Sequence, residues 1–281
     1  MLLQQWRADR ATWLTALLLL VVTAAAWVGV IQQATTMNMS SGMIGEMAPP
    51  AGRAMADEMA PAVASGVSLA ALGAYVAAWV VMMAAMMLPA ATPMVLLYRT
   101  VARRQRTGAP PPAATGTFVL GYLAVWAAFG GLVYLASVAV AAALAANAAL
   151  AALAPYGVAL VLIAAGVYQW TPLKEVCLRV CQSPLGFLMT HWRPGPAGAL
   201  RMGVEHGLYC SGCCWALMAV LVAAGAMGLA WVTLLALVIF AEKLWPRGQW
   251  TARLIGGALV LLGLTVAARP EVALWLRGQA M

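Results

Sequence analysis

The chain has 281 residues, of which 64% are hydrophobic and 9% are charged, and its formal net charge is +8. Such an apolar composition excludes an ordinary soluble domain and indicates a protein that is solvated by lipid. The basic residues are spread over several connecting segments and are not gathered with aromatic residues, which argues against nucleic acid as a partner. No GxxxxGK[ST] sequence occurs, so transport driven by a nucleotide site is not expected.

Apolar runs of about 17 to 25 residues predict transmembrane helices. We identify seven such runs, and because the last two are short, six spans is the alternative count. They are Ala11–Ile31, Val67–Leu88, Phe118–Val140, Pro155–Trp170, Val204–Ala224, Leu229–Ala241 and Leu254–Ala267. The alternating pattern of a membrane strand is missing, so the runs predict an all-α polytopic bundle that forms one domain over 1–281. The first run is longer than the apolar part of a signal peptide and is predicted to be an anchor.

Basic residues mark alternate connections between the predicted spans. They precede the first span and follow the second, fourth and sixth, whereas Arg269 and Arg277 depart from this alternation. Under the positive-inside rule, the basic connections face the cytoplasm, which places the N-terminus inside a bacterial inner membrane. The segment 32–66 is then a methionine-rich extracytoplasmic loop, and 171–202 is a cytoplasmic loop that contains two cysteines.

Methionine is concentrated in two parts of the chain. Six of the 17 methionines lie in the extracytoplasmic segment, at Met37, Met39, Met43, Met47, Met55 and Met59. Four more form two pairs in the second span, and a spacing of four residues places the members of each pair one helical turn apart. These are Met82, Met83, Met86 and Met87. Thioether sulfur is a soft ligand that suits Cu(I), and the alternative is that these flexible side chains fill gaps between helices.

All five cysteines lie in two places. Cys177 and Cys181 follow the fourth span, and the other three lie in the sequence HGLYCSGCCW at the start of the fifth. On a helix, Met202, His206, Cys210, Cys213 and Cys214 fall along one stripe. Thiolate and imidazole are preferred donors for Cu(I) and Zn(II), so the stripe predicts a metal site. The alternative is that these cysteines are small packing residues.

The predicted topology brings the sulfur groups together. The methionine pairs and all the cysteines fall in the cytoplasmic half of the bundle, where thiols stay reduced. From outside to inside, the order is methionine-rich loop, methionine pairs, then thiols. Glu242 and Lys243 end the sixth span as an adjacent ionisable pair, which indicates either a partner or gate for the pathway or an interfacial anchor.

Four sequence elements resemble a bacterial family of uncharacterised integral membrane proteins that are described as predicted metal-binding. They are WVVMMAAMMLPA at 79–90, YQWTPLKEVCLRVCQSP at 168–184, GVEHGLYCSGCCWALM at 203–218 and AEKLWPRG at 241–248. The resemblance extends from the second span to the seventh. It implies a metal role for the five cysteines but implies no activity.

We therefore predict a membrane protein that binds copper(I), most consistent with uptake, transfer or delivery of the ion through Met and Cys ligands. Zn(II) is the second candidate metal, and the expected partners are a metallochaperone or a membrane cuproenzyme. A different class is a membrane thiol oxidoreductase in which Cys210 and Cys213 form a redox pair that exchanges electrons with Cys177 and Cys181. A third is an assembly or scaffold subunit. No catalytic residue is predicted for the leading interpretation.

Overall fold

The computed structural model describes residues 10–43, 68–104, 111–223 and 229–276, and these residues form helices joined by short connections. Eleven helices lie in this part of the chain. They are α1 (Arg10–Met43), α2 (Leu69–Arg104), α3 (Pro111–Ala146), α4 (Ala148–Ala152), α5 (Ala154–Tyr168), α6 (Pro172–Gln182), α7 (Pro184–His191), α8 (Gly195–Ala223), α9 (Leu229–Leu244), α10 (Gly248–Ala268) and α11 (Glu271–Leu276).

Five helices of the described residues are long and apolar enough to cross a membrane, namely α1, α2, α3, α8 and α10. Helices α5 and α6 form a sixth candidate that is bent by 63° at the break between them. The all-α polytopic bundle is therefore confirmed. The count of seven spans was too high because α9 has only 16 residues and α5 only 15. At 1.5 Å per residue, either helix is shorter than the hydrocarbon core of about 30 Å.

Two helices run beyond the ends of the predicted spans. Helix α2 does not stop at Leu88 but continues through Pro89 and Pro93, so its basic C-terminal turns are part of the helix. Proline is tolerated inside a membrane helix where neighbouring groups satisfy the freed backbone atoms. Helix α1 extends to Met43, so the segment predicted as a loop over 32–66 begins as helix. Its remaining part, with Met47, Met55 and Met59, lies outside the described residues.

The connection over 171–202 is built mainly from short helices. Thr171 and Pro172 start α6, where the Thr171 hydroxyl accepts a hydrogen bond from the backbone N–H of Lys174 at 3.4 Å. This arrangement satisfies one of the free N–H groups of the first turn. The sequence predicted a loop that contains two cysteines. The segment contains two short helices, α6 with both cysteines and α7 after it.

Glycine allows close packing around α8. A Cβ atom at Gly203 would collide with the backbone carbonyl of Phe118 on α3, and one at Gly207 would lie 3.0 Å from the side chain of Val125. Small residues at such positions let the backbones of membrane helices approach each other. Because α3 packs so closely on one side and α6 on another, the cysteine-bearing face of α8 is enclosed by other helices.

Candidate metal site

The methionines of α2 and the cysteines of α6 and α8 belong to one buried cluster. All four methionines of the two predicted pairs are buried, and Met83 and Met87 are fully inaccessible. Cys177, Cys210, Cys213 and Cys214 are buried in the same cluster, and Cys181 packs at its edge. The structure therefore places the two groups of sulfur residues together, as the predicted topology required.

A close approach between two thiols joins α6 to α8. The Sγ atoms of Cys181 and Cys213 are 3.9 Å apart. Two metal–sulfur bonds of about 2.3 Å each, the length found for Zn–thiolate, would span this distance at an S–metal–S angle of about 116°. An angle of that size is close to trigonal, a common arrangement for Cu(I). The two thiols are thus spaced to share one soft metal ion.

Cys210 lies next to a buried cation and a phenol. The ammonium of Lys243 on α9 is 2.9 Å from the Cys210 sulfur, and the Tyr122 hydroxyl on α3 is 3.0 Å from it. The Lys243 ammonium is also 3.7 Å from the sulfur of Met87. A cation next to a thiol favours its thiolate, the form that binds metals. Lys243 also interacts electrostatically with Cys181, Cys213 and Cys214, so its charge acts on the whole thiol group.

A second pair of buried charges connects the helices that carry Cys181 and Lys243. The ammonium of Lys174 on α6 is 2.7 Å from a carboxylate oxygen of Glu242 on α9, and both side chains are 2% exposed. The amide of Gln182 donates a hydrogen bond to the Glu242 carbonyl at 2.7 Å. Breaking such a buried pair would leave an uncompensated charge, which is strongly destabilising. These contacts set the position of α6 relative to the C-terminal end of α9.

Three of the thiols also contact α8 itself, either at its backbone or at Gly212. Cys213 and Cys214 both donate to the carbonyl of Cys210, at 3.1 and 2.9 Å. The sulfur of Cys177 lies so close to Gly212 that a Cβ atom there would be 2.8 Å from it. Ser or Thr at position 212 would therefore push α6 away from α8. Cys177 contributes to the packing that brings Cys181 to Cys213.

The rest of the predicted stripe on α8 lies in an aromatic environment. The His206 ring packs against Phe118, Tyr122 and Phe187, with ring centroids 5.4 to 6.1 Å away. The sulfur of Met202 accepts a hydrogen bond from the backbone N–H of Arg193 at 3.4 Å. Within the described ranges, no group of three or more His, Cys, Asp or Glu side chains is arranged to hold a metal ion. The imidazole and the three thiols of α8 thus do not form one preassembled set.

Two residues of this cluster were not predicted to belong to it. Tyr122 lies in an apolar run of α3 and nothing in the sequence distinguishes it from an ordinary membrane tyrosine. Lys174 carries a usable signal, because the 16 basic residues of the chain include only two lysines, Lys174 and Lys243. Both are buried beside the thiols, at 1% and 5% exposure. All other basic residues are arginines, so the two lysines mark the site.

Comparison with known proteins assigns the chain to a family. A family model described as PpoB2, copper chaperone, matches residues 76–266, about two thirds of the chain. The chain belongs to the PpoB2 copper chaperone family. No curated protein and no solved structure matches the sequence.

The matched region of this copper chaperone family begins within α2 and ends within α10. It contains the methionine pairs, all five cysteines, Tyr122, Lys174, Glu242 and Lys243. Helix α1 and the methionine-rich segment 32–66 lie outside it. The expected link to copper and to a membrane family is confirmed at this level, and the buried sulfur cluster is located in the part of the chain that defines the family.

Proposed function

We propose that this chain is a membrane-embedded copper chaperone that binds Cu(I) through Cys181 and Cys213, with Cys210 moving in as a third thiolate once the ion is bound, and passes the ion to a partner protein. The observation that carries the proposal is the 3.9 Å separation of the Cys181 and Cys213 sulfurs across two helices. Thiolates are soft donors that suit both Cu(I) and Zn(II), so Zn(II) is the alternative metal for the same donors. Membership of a copper chaperone family favours copper.

The methionines of α2 supply weaker ligands next to the thiols. Met87 approaches the same ammonium group that contacts Cys210, so a thioether and a thiol both neighbour Lys243. Thioethers need not lose a proton to bind Cu(I), whereas thiols must do so. We therefore assign to Met82, Met83, Met86 and Met87 the role of a transfer route and to the cysteines the role of a holding site. The partner that receives copper is a metallochaperone or a membrane cuproenzyme.

The direct test is an anaerobic titration of the purified full-length protein with Cu(I) in the presence of a weak competing chelator. At least one equivalent should be retained by the unmodified chain. Replacing Cys181 and Cys213 together by Ser should abolish retention, because both closely spaced thiols are lost. Cys177→Ser is the matched control, since that thiol is buried in the same cluster but outside the proposed ligand set. Full retention by the double variant would refute the ligand assignment.

Thiol–disulfide exchange is the second candidate function. The observation that favours it is the same sulfur pair, since Cys181 and Cys213 would need to approach from 3.9 Å to about 2.05 Å to form a disulfide. Elemental analysis combined with thiol titration separates the two functions. A copper chaperone should contain copper with its thiols reduced, whereas an oxidoreductase should cycle between a disulfide and two thiols with a quinone or thioredoxin as co-substrate.

We also propose that the copper route is directed inward across a bacterial inner membrane, with the N-terminus in the cytoplasm. The support is the distribution of basic residues over alternate connections. Single-cysteine labelling in intact cells tests it: a label at position 47 should react from outside, and labels at 104 and 193 should not. Labelling of position 104 from outside would reverse the direction.

A further inference from the structure

Two buried lysines lie on the helices around the thiol cluster, and they have different partners. Lys174 and Glu242 form a buried ion pair of zero net charge. Within the described parts of the chain, Lys243 has no carboxylate at ion-pair distance, and its ammonium contacts the sulfurs of Cys210 and Met87. Lys243 is 5% exposed, so water compensates little of its charge. The charge of Lys243 is therefore directed at sulfur atoms and not at a carboxylate.

Keeping an ammonium in this position has an energetic cost. Replacing a buried charge by an apolar side chain of similar volume is often neutral or stabilising, because no desolvation is then required. The ammonium of Lys243 contacts the sulfurs of Cys210 and Met87, and both of these side chains would accept an apolar neighbour. A merely structural role would be filled at least as well by leucine or methionine. The positive charge of Lys243 therefore requires a functional explanation.

A fixed positive charge affects metal ions in proportion to their own charge. Cu(I) and Zn(II) have the same filled d shell and bind to the same donors, but they differ by one unit of charge. The repulsion from Lys243 is therefore twice as large for Zn(II) as for Cu(I) at the same position. In the low-dielectric interior of a membrane protein this difference is screened only weakly.

We propose that Lys243 is a specificity-determining residue that makes the site selective for monovalent soft cations over divalent ones. This inference rests on the proposed function, because it assumes that the cysteines hold a metal ion. Thiolates alone do not distinguish sharply between Cu(I) and Zn(II) on the basis of donor type. Lys243 supplies the missing discrimination by charge, and Lys174 does not, because Glu242 neutralises it.

The experiment compares the affinities of Cu(I) and Zn(II) in anaerobic titrations of the full-length protein. The variants Lys243→Gln and Lys243→Leu should lower the ratio of Cu(I) affinity to Zn(II) affinity by at least about tenfold. Lys243→Arg should restore the ratio, because it retains the charge on a different side chain. Arg247→Gln is the matched control, since it removes a positive charge from the same end of α9 at an exposed position and should leave the ratio unchanged.

The outcomes separate the two proposals. If the unmodified protein binds no Cu(I), the proposed function fails and the selectivity inference fails with it. If it binds Cu(I) and the neutral variants weaken both metals by the same factor, Lys243 has only a structural role and the inference alone is overturned. Two neutral variants of different polarity are used so that poor folding of one does not decide the result. The leucine variant should be at least as stable as the unmodified protein, which its thermal unfolding will show.

Discussion

The two halves of the stripe on α8 have the same helical spacing but different surroundings. Met202 and His206 lie among aromatic rings of α3 and α7, whereas the three cysteines four residues further on face thiols, methionines and an ammonium group. All five side chains are buried. The difference shows that helical periodicity determines which residues face inward together, while the neighbouring helices determine what chemistry each of them can perform.

The half of the stripe with Met202 and His206, called the aromatic half, is a packing surface. Its closest contact is Gly203 against the backbone of α3, and the His206 ring is enclosed by three aromatic side chains. The thiol half has the character of a binding surface, with sulfur atoms from α6 and α8 and charge from α9. Changes in the first half should affect folding, and changes in the second should affect metal binding.

The largest expected effect is on folding. Gly203→Val places a side chain where the Phe118 carbonyl already lies, so α3 and α8 must separate. We expect a loss of about 3 kcal/mol or more in the free energy of unfolding, at the upper end of typical overpacking costs. Thermal unfolding in detergent measures it. Gly116→Val on the exposed surface of α3 is the control, because a Cβ atom there meets nothing within 4 Å. Equal stability of both variants would remove the packing role of the aromatic half.

Exchanging one side chain in each half tests the division directly. Cys210→Ser should lower Cu(I) affinity by more than about 100-fold. Loss of a residue that only orients a metal ligand costs about 10-fold to 100-fold, and loss of the ligand itself should cost more. His206→Phe should change Cu(I) affinity by less than about threefold, because phenylalanine fits an aromatic cage without supplying a donor. Competition titrations with a Cu(I) chelator measure both. A large loss of affinity in His206→Phe would place the imidazole among the ligands and join the two halves into one site.

Tyr122 lies where the two halves meet, since its ring contacts His206 and its hydroxyl contacts Cys210. Tyr122→Phe removes only the hydroxyl. We expect a decrease of about 10-fold to 100-fold in Cu(I) affinity, as for other groups that orient a ligand. The free energy of unfolding should fall by about 1 kcal/mol, the usual net contribution of a hydrogen bond. An unchanged affinity would assign Tyr122 to the aromatic half alone.

The methionine pairs are expected to affect copper transfer without affecting equilibrium binding. Replacing Met83 and Met87 by Leu keeps volume and apolarity, so the free energy of unfolding should change by less than about 1.5 kcal/mol. Equilibrium Cu(I) binding should remain, but copper accumulation in cells or proteoliposomes should slow because the thioether route is lost. Normal accumulation by a well-expressed variant would mean that these methionines only pack, and the chain would then be a binding protein without a transfer route.

The sequence allowed the fold class and the main sulfur residues to be predicted for identifiable reasons. Long apolar runs with few charges predict membrane helices, and the CxGCC and MMxxMM spacings identify buried faces of α8 and α2. Helix α9 was counted as a span because it is apolar up to Ala241, yet its 16 residues are too few to cross the membrane. Helix α2 continues beyond the predicted end at Leu88, through Pro89 and Pro93. Tyr122 could not be predicted, since its partner Cys210 is 88 residues away in the chain. The close approach of Cys181 to Cys213 likewise depends on the 63° bend after α5.

That bend has a mechanical consequence for the bound ion. Because α6 leaves the direction of α5 by 63°, the position of Cys181 depends on the contacts that α6 makes with α8 and α9. Two sulfurs joined through one metal ion can be at most about 4.6 Å apart. The observed separation of 3.9 Å leaves about 0.7 Å before one bond must break. A shift of this size in the eleven-residue helix α6 would therefore change two-sulfur coordination of the proposed copper ion into one-sulfur coordination.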